Sequence, residues 1–317
     1  MTRVAAIDCG TNSIRLLISD VSATKHVEIA REMEIVRLGE GVDATGELNP
    51  KALKRTEEAL QRFVQQMEFE NVQAVRMVAT SATRDASNQK EFFDMTARLL
   101  GRIQPGAVAE VISGEEEAQL SFRGATLDIE DDREPYCVID LGGGSTEFIV
   151  GTSDGEIMGA HSNQMGCVRL TERMMLSDPP TLSEQDIARD FVAERLEDTS
   201  MIVPLAKART FVGCAGTFTT LSALAQGLER YDPREIHMSE LKFQALRLIT
   251  QQLIATSSAA RAAQPVIHPG RADVIGSGAV IVEEIMTVVQ KLTGIDSFVI
   301  SEKDILDGIV AGLASEL

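Results

Sequence analysis

The sequence Asp140-Leu-Gly-Gly-Gly-Ser-Thr-Glu147 follows an apolar run and is the strongest functional signal in the chain. Three consecutive glycines after a strand let backbone N–H groups approach a phosphate without interference from Cβ atoms, and the two hydroxyl residues add donors. The carboxylates at the two ends could hold a hard cation such as Mg²⁺, directly or through water. The stretch predicts a turn that binds phosphate and a cation, while a glycine-rich hairpin with solvated acids is the alternative. Its candidate residues are Asp140, Gly142, Gly143, Gly144, Ser145 and Glu147.

A related stretch occurs near the N-terminus. Residues 7–15 align without gaps on residues 139–147, at an offset of 132, and Ile, Asp, Gly and Ser recur in register. Both copies continue into apolar runs. Such a pair indicates duplicated domains that face one another across a cleft. Chance similarity or convergent turn chemistry is the alternative.

Apolar runs and helical patterns alternate along the chain, which predicts an α/β fold with buried central strands. A length of 317 residues favours two domains. The acidic stretch 128–135 is suited to a connection between them. Near the end, Leu241 to Ala255 is predicted to be a helix, and a last helix is predicted to start at Ser301, with Asp304 three residues later as in a capping box.

The charge balance bears on possible partners. The chain has 48 Asp and Glu against 30 Lys and Arg, a net charge of −18. This excess argues against a general nucleic-acid or anionic-membrane surface, although a local phosphate site remains possible. No apolar run approaches the length of a membrane span, and no signal segment is predicted at the N-terminus. The four cysteines show no C-x-x-C spacing, so we expect buried thiols in a cytoplasmic protein, without zinc or disulfides.

Two arginines could clamp phosphate. Arg15 occupies the position that matches Glu147 in the second copy, and Arg84 follows a strand end rich in small hydroxyl residues, including Ser81 and Thr83. The arginine fork suits phosphate oxygens, and hydroxyl groups supplement it. A surface ion pair is the alternative for each arginine.

Acids and a further glycine turn lie at two predicted helix starts. Glu115, Glu116 and Glu117 either favour the helix dipole or include one residue that activates a water for attack on phosphorus. Gly213-Cys-Ala-Gly-Thr217 precedes another helix and suits an anion. The turn His268-Pro-Gly-Arg-Ala-Asp273 carries a basic pair.

Seven motifs in order resemble the exopolyphosphatase/guanosine pentaphosphate phosphohydrolase (Ppx/GppA) family of the actin-like, sugar-kinase and Hsp70 ATPase superfamily, and the resemblance covers nearly the whole chain. The motifs are Ala6-Ile-Asp-Cys-Gly-Thr-Asn-Ser-Ile-Arg15, Ala79-Thr-Ser-Ala-Thr-Arg84, Ile112-Ser-Gly-Glu-Glu-Glu-Ala118, Val138-Ile-Asp-Leu-Gly-Gly-Gly-Ser-Thr-Glu147, Gly166-Cys-Val-Arg169, Gly213-Cys-Ala-Gly-Thr217 and Pro269-Gly-Arg-Ala-Asp273.

The resemblance implies two ribonuclease-H-like domains hinged around a cleft. The first domain would comprise residues 1–126 together with 303–317, and the second would comprise residues 127–302. It implies that Glu117 is the catalytic base and that Asp140 and Glu147, with Asp8 a weaker candidate, hold Mg²⁺ or another hard divalent cation such as Mn²⁺. The residues expected to bind phosphates are Thr11, Asn12, Ser13, Arg15, Ser81, Thr83, Arg84, Gly142, Gly143, Gly144, Ser145, Gly216, Thr217 and Arg271.

The implied reaction is metal-assisted attack of water on a terminal phosphoryl group. The leading substrate is inorganic polyphosphate, and guanosine pentaphosphate (pppGpp) is the alternative. The absence of Trp and the presence of only two Tyr weakly favour the substrate without a base. A nucleotide-binding kinase or a non-catalytic sensor of the same fold is a third reading. A homodimer is expected. Because long family members carry further C-terminal helical domains, short or medium polyphosphates, or distributive action, are expected here.

Overall fold

The computed structural model describes residues 1–22 and 25–315. Contacts between Cα atoms divide the chain into two compact units, which we call unit 1 (Met1–Gly124 with Ile305–Leu317) and unit 2 (Ala125–Asp304). The predicted domain boundaries, after residues 126 and 302, each differ from these by two residues.

Unit 1 contains a sheet with the strand order β3-β2-β1-β4-β5. Strand β1 is antiparallel to β2 and parallel to β4, which is in turn parallel to β5. The strands are β1 Thr2–Cys9, β2 Ser13–Ser22, β3 Lys25–Ile35, β4 Ala74–Ala79 and β5 Glu110–Val111; the helices are α1 Val42–Thr45, α2 Pro50–Phe69, α3 Ser81–Asp85, α4 Gln89–Leu100, α5 Gly114–Ala125 and, from the end of the chain, α13 Ile305–Ser315.

Unit 2 contains a sheet with the strand order β10-β11-β9-β6-β7-β8. The strands are β6 Tyr136–Leu141, β7 Thr146–Gly151, β8 Ile157–Asn163, β9 Thr210–Cys214, β10 Ser239–Lys242 and β11 Ser297–Ile300; the helices are α6 Cys167–Met174, α7 Leu182–Ile202, α8 Ala215–Ala225, α9 Pro233–Ile236, α10 Phe243–Ala255, α11 Ser258–Ala262 and α12 Ile275–Thr293. Single 3₁₀ turns occupy Asp131–Arg133, Leu205–Lys207 and Pro269–Arg271.

The two sheets share one topology. If β10 is set aside, β8-β7-β6-β9-β11 repeats the order β3-β2-β1-β4-β5, with the same antiparallel and parallel pairings. The first turn is also the same, because Gly10 N donates to Ser13 O and Gly142 N donates to Ser145 O, both at 3.0 Å. The predicted α/β class is confirmed, and the 132-residue offset identified in the sequence relates equivalent turns.

The unit 1 sheet is buried on both faces at its central strand β1. Alternate residues of β1 point to opposite faces: Ile7 packs in a cluster with α2 and α4, whereas Ala6 packs in a cluster with Ile305 and Ile309 of α13. The last helix therefore covers one face of the sheet that begins at the N-terminus.

Helix α13 approaches α5 closely at Gly308. A Cβ atom on Gly308 would overlap the carbonyl oxygen of Leu120, whereas one on Gly312, a turn later in the same helix, would lie in open space. We expect Gly308→Ala to lower the free energy of unfolding by about 1–3 kcal/mol, because backbone atoms must shift. Gly312→Ala is the matched control and should leave that free energy unchanged or raise it by up to ~1 kcal/mol. Urea unfolding of the two variants checks this, and equal effects would contradict it.

Two predicted helix starts are wrong. The last helix begins at Ile305, not Ser301, because Ser301 N donates to Gly213 O at 2.9 Å and continues the extended segment beside β9. Leu241 lies in β10, not in a helix, because it pairs with Phe298 of β11; the helix begins at Phe243. Of the helices in residues 1–22 and 25–315, none is long and apolar enough to cross a membrane.

Candidate active site

The predicted residues of unit 1 lie at one edge of its sheet. The 10–13 turn follows β1, helix α3 follows β4, and the segment from Ile112 to the start of α5 follows β5. Parallel strands end at the same edge, where ligands of α/β proteins bind. A Cβ atom on Gly39 would contact both Thr11 and Ala82, so the turn and α3 lie close together. Ser81 in α3 is buried here.

The 10–13 turn is held through its carbonyl groups. Thr11 O accepts a hydrogen bond from Gly39 N at 2.9 Å, and Asn12 O accepts one from Arg37 N at 2.9 Å. In a trans peptide the N–H points opposite to the C=O. The amides of Asn12 and Ser13 therefore point away from the 36–39 segment, as an anion-binding turn requires.

The glycine turn of unit 2 is held in the same way by the start of α6. Gly142 O accepts from Cys167 N at 3.1 Å and Gly143 O from Arg169 N at 3.1 Å, while the Arg169 side chain donates through Nε to Gly144 O at 2.8 Å. With these three carbonyls bound to α6, the amides of the next residues point away from it. Those amides belong to Gly143, Gly144 and Ser145.

Helix α6 reaches the turn because Gly166 has no side chain. A Cβ atom on Gly166 would overlap the backbone carbon and oxygen of Gly143. The Gly166-Cys-Val-Arg169 motif thus supplies both a close approach and the donors that orient the turn.

The residue pair that flanks each turn, one residue on each of the two strands, differs in charge between the units. In unit 1, Asp8 and Arg15 are register partners, and Arg15 Nη2 and Nε lie 2.7 and 3.1 Å from Asp8 Oδ2. In unit 2 the register partners are two acids, Asp140 and Glu147. Because Arg15 already neutralises Asp8, a cation or a phosphate would have to compete with this ion pair in unit 1.

The unit 2 pair fits a hard divalent cation. Asp140 and Glu147 are 7% and 1% exposed and lie side by side on neighbouring strands. Two buried carboxylates side by side repel one another unless a cation or a proton intervenes. Within residues 1–22 and 25–315, no group of three or more Asp, Glu, His or Cys side chains could hold a metal. Two carboxylates agree with Mg²⁺, which keeps several waters and often binds one or two carboxylates plus substrate phosphates.

Arg84 contacts the predicted base at this edge of the sheet. Its Nη1 donates to Glu117 Oε2 at 3.1 Å and to Ile112 O at 2.9 Å, and Glu117 is only 8% exposed. Arg84 Nη2 and Thr83 Oγ1 are both buried, and neither has a hydrogen-bond partner among the described residues. Buried donors of this kind are normally satisfied, so both atoms are suited to an oxygen of a ligand or water.

Arg271 is placed over the second glycine turn of unit 2. Its Nη1 donates to Gly216 O at 3.3 Å, and any Cβ on Gly216 would overlap the guanidinium group. Thr217 is buried against Gly278 of α12. His268 Nδ1 accepts from Gly270 N at 3.1 Å, and burial together with the charge of Arg271 lowers the pKa of His268. A neutral His268 thus supports the turn that carries Arg271.

Three of the four cysteines are poorly suited to act as nucleophiles. Cys9, Cys137, Cys167 and Cys214 are buried and free. Burial raises the pKa of Cys9 and Cys137, and it raises the pKa of Cys167 to about 11. These three thiols stay protonated near neutral pH, and the thiolate is the reactive form.

Some residues that shape the site were not assigned a role from the sequence. Arg169 was noted only as part of a motif, and its hold on Gly144 depends on the geometry of α6. Ser162 donates to Glu147, and Arg55 of α2 donates to Val36 O at 2.8 Å behind the first turn. The sequence carries no signal for the last two contacts, because they depend on strand register and helix packing.

The sequence matches the Ppx/GppA phosphatase family over residues 17–312. It is 52% identical over 318 residues to "Exopolyphosphatase 2" of Mycobacterium tuberculosis, with 99% of both chains covered. Among solved structures, an exopolyphosphatase-like protein is similar with a TM-score of 0.93 at 40% identity, covering 99% of both chains. An exopolyphosphatase from Cytophaga hutchinsonii has a TM-score of 0.87 at 26% identity, covering 100% of this chain and 99% of that chain.

Proposed function

Because the chain belongs to the Ppx/GppA phosphatase family, we propose that it is an exopolyphosphatase that hydrolyses terminal phosphates of inorganic polyphosphate. One observation carries the assignment of its site: Arg84 is bonded through Nη1 to Glu117, while its Nη2 is buried without a partner among the described residues. A phosphate oxygen on Nη2 would lie beside the carboxylate that accepts the proton of the attacking water.

The reaction follows from this arrangement. A water oxygen forms a bond to the terminal phosphorus while the bridging P–O bond to the penultimate phosphate breaks. Glu117 accepts the proton of the water, orthophosphate is released, and the shortened chain leaves with the bridging oxygen. Arg84 and Thr83 donate to the charge that develops on the terminal phosphate oxygens. The Arg84–Glu117 contact holds the base next to the phosphate that Arg84 would bind.

Asp140 and Glu147 would hold the divalent cation, Mg²⁺ or Mn²⁺. When bound, the cation neutralises phosphate charge and polarises the phosphoryl oxygen. Asp8 is the weaker ligand candidate because Arg15 is bonded to it. Within unit 1 the amides of Asn12 and Ser13 would supply donors for phosphates, and within unit 2 the amides of the glycine turn and the Arg271 guanidinium would do so. A homodimer and a cytoplasmic location remain part of the proposal; the four free cysteines agree with a reducing compartment.

The aromatic residues favour polyphosphate over pppGpp. Tyr136 is fully buried, and the hydroxyl of Tyr231 donates to Glu302 Oε1 at 2.5 Å. The chain has no Trp. Stacking of a base on an aromatic ring is worth about 1–3 kcal/mol. Tyr136 offers no such platform because it is buried, and the Tyr231 ring, 37% exposed, is the one tyrosine that could.

The test compares kcat/KM for release of orthophosphate from polyphosphate of defined length and from pppGpp, with Mg²⁺ present. We expect the value for polyphosphate to be higher by at least about fivefold, which corresponds to the lower end, ~1 kcal/mol, of that stacking energy. A higher value for pppGpp would favour the alternative substrate. If neither polyphosphate nor pppGpp releases orthophosphate in a Mg²⁺-dependent way, the remaining hypothesis is a nucleotide-binding kinase or a non-catalytic sensor.

A further inference from the structure

Ser162 completes a row of polar residues across the unit 2 sheet. Asp140 on β6 pairs with Glu147 on β7, and Glu147 pairs with Ser162 on β8. Directly paired residues point to the same face of a sheet, with Cβ atoms about 4.5–5.5 Å apart. The serine thus stands on the side of Glu147 opposite to Asp140.

The contact in this row is short and partly buried. Ser162 Oγ donates to Glu147 Oε1 at 2.6 Å, and Glu147 is 1% exposed. A hydrogen bond from a neutral hydroxyl fixes the rotation of the carboxylate without adding a positive charge that would repel a cation. The hydroxyl therefore suits a carboxylate that must remain negative and correctly oriented.

The equivalent row of unit 1 shows the contrast. It consists of Asp8, Arg15 and Met33 on β1, β2 and β3. There the middle residue is a cation that bonds to the neighbouring acid, and the third residue has no hydrogen-bond donor in its side chain. Unit 2 thus has a hydroxyl donor, Ser162, beside its pair of acids. At the equivalent position unit 1 has the thioether of Met33, beside a pair that is already neutralised.

We propose that Ser162 is a positioning residue for the cation site: it holds the Glu147 carboxylate in the orientation in which Glu147 and Asp140 bind a divalent cation together. This inference rests on the proposed function, because it assumes that the two acids bind the cation. It assigns to strand β8 a part in the site that lies outside all seven sequence motifs.

Cation binding without turnover tests the proposal. Mn²⁺ binding to the full chain, without polyphosphate, is measured by electron paramagnetic resonance or calorimetry. Removing a group that orients a metal ligand typically weakens affinity about 10–100-fold, so we expect that loss for Ser162→Ala. Ser162→Thr keeps the hydroxyl and should bind Mn²⁺ nearly as wild type. Ser162→Val has the shape of Thr without the hydroxyl and should resemble Ala. Ser153→Ala, an exposed position in the same hairpin, is the unaffected control.

Phosphate release gives a second readout. The Mg²⁺ concentration for half-maximal activity of Ser162→Ala should rise by a similar factor, while kcat at saturating Mg²⁺ stays within about twofold. If Ser162→Ala does not fold, the Mn²⁺ affinities of Ser162→Thr and Ser162→Val are compared instead. Unchanged Mn²⁺ affinity in Ala, or equal affinity in Thr and Val, would overturn the role of Ser162 and leave the proposed function intact. If the wild type itself binds no Mn²⁺, the cation site fails, and this inference fails with it.

Discussion

Glu117→Gln should lower kcat for phosphate release from polyphosphate by about 10²–10⁴-fold, the usual contribution of a general base. Gln has nearly the same shape as Glu but cannot accept the proton of the attacking water. Its side-chain oxygen can still accept the hydrogen bond of Arg84, which now lies 3.1 Å from Glu117 Oε2. The variant should therefore keep the Arg84 hydrogen bond and the structure of the site, and lose the proton transfer from water.

Glu115→Gln is the matched control for this variant. Glu115 lies in the same first turn of α5, but it is exposed. Initial rates with polyphosphate, measured on both variants with circular dichroism as a check on folding, give the comparison. Full activity in Glu117→Gln would show that another group is the base. Equal losses in the two variants would point to an effect on the helix rather than on the reaction.

Gly166→Ala should lower kcat/KM by about 100-fold. The added Cβ would overlap the backbone of Gly143, so the glycine turn has to move relative to α6. That movement separates the carbonyls of the turn from Cys167 N and Arg169. The turn amides that point away from α6 then lose their orientation. A displacement of about 1 Å in a site that positions a substrate commonly has an effect of this size.

The measurement for Gly166→Ala is steady-state kinetics together with the midpoint of thermal unfolding. Gly312→Ala adds the same methyl group in open space and should have normal kinetics. A Gly166→Ala variant that folds and has wild-type kcat/KM would contradict the role given to the α6 contact. Because overpacking also costs about 1–3 kcal/mol, a lower melting temperature is expected as well.

The sequence was most informative where backbone geometry requires particular residues. The alignment of residues 7–15 with 139–147 predicted two equivalent strand–turn–strand units, and Gly10 and Gly142 make the same 3.0 Å hydrogen bond in both. This agreement has a physical reason, because a tight turn after a buried strand restricts local sequence strongly.

Contacts between elements distant in sequence could not be predicted in the same way. The ion pair of Asp8 with Arg15 depends on the exact pairing of β1 and β2, and the contact of Ser162 with Glu147 depends on the pairing of β7 and β8. The start of α13 was misplaced because the Ser301–Asp304 pattern is local, whereas the backbone of Ser301 bonds to Gly213, 88 residues earlier. Tertiary pairing outweighed a weak capping signal there.

The roles of Arg84 and Arg15 illustrate the same limit. In the sequence the two arginines are alike, because each guanidinium group lies near small polar residues and could bind phosphate. In the structure, Arg15 gives two donors to Asp8, whereas Arg84 gives one nitrogen to Glu117 and Ile112 and keeps Nη2 buried without a partner among the described residues. We therefore expect Arg84, rather than Arg15, to be the stronger phosphate ligand.

A ³¹P NMR time course of polyphosphate with the wild-type protein and Mg²⁺ tests the proposed reaction directly. We expect orthophosphate to accumulate from the first time points while chains shorten from their ends, and Glu117→Gln to slow this release by at least about 10²-fold. Fragments from cleavage within the chain, or no Mg²⁺-dependent release of orthophosphate by the wild type, would contradict it.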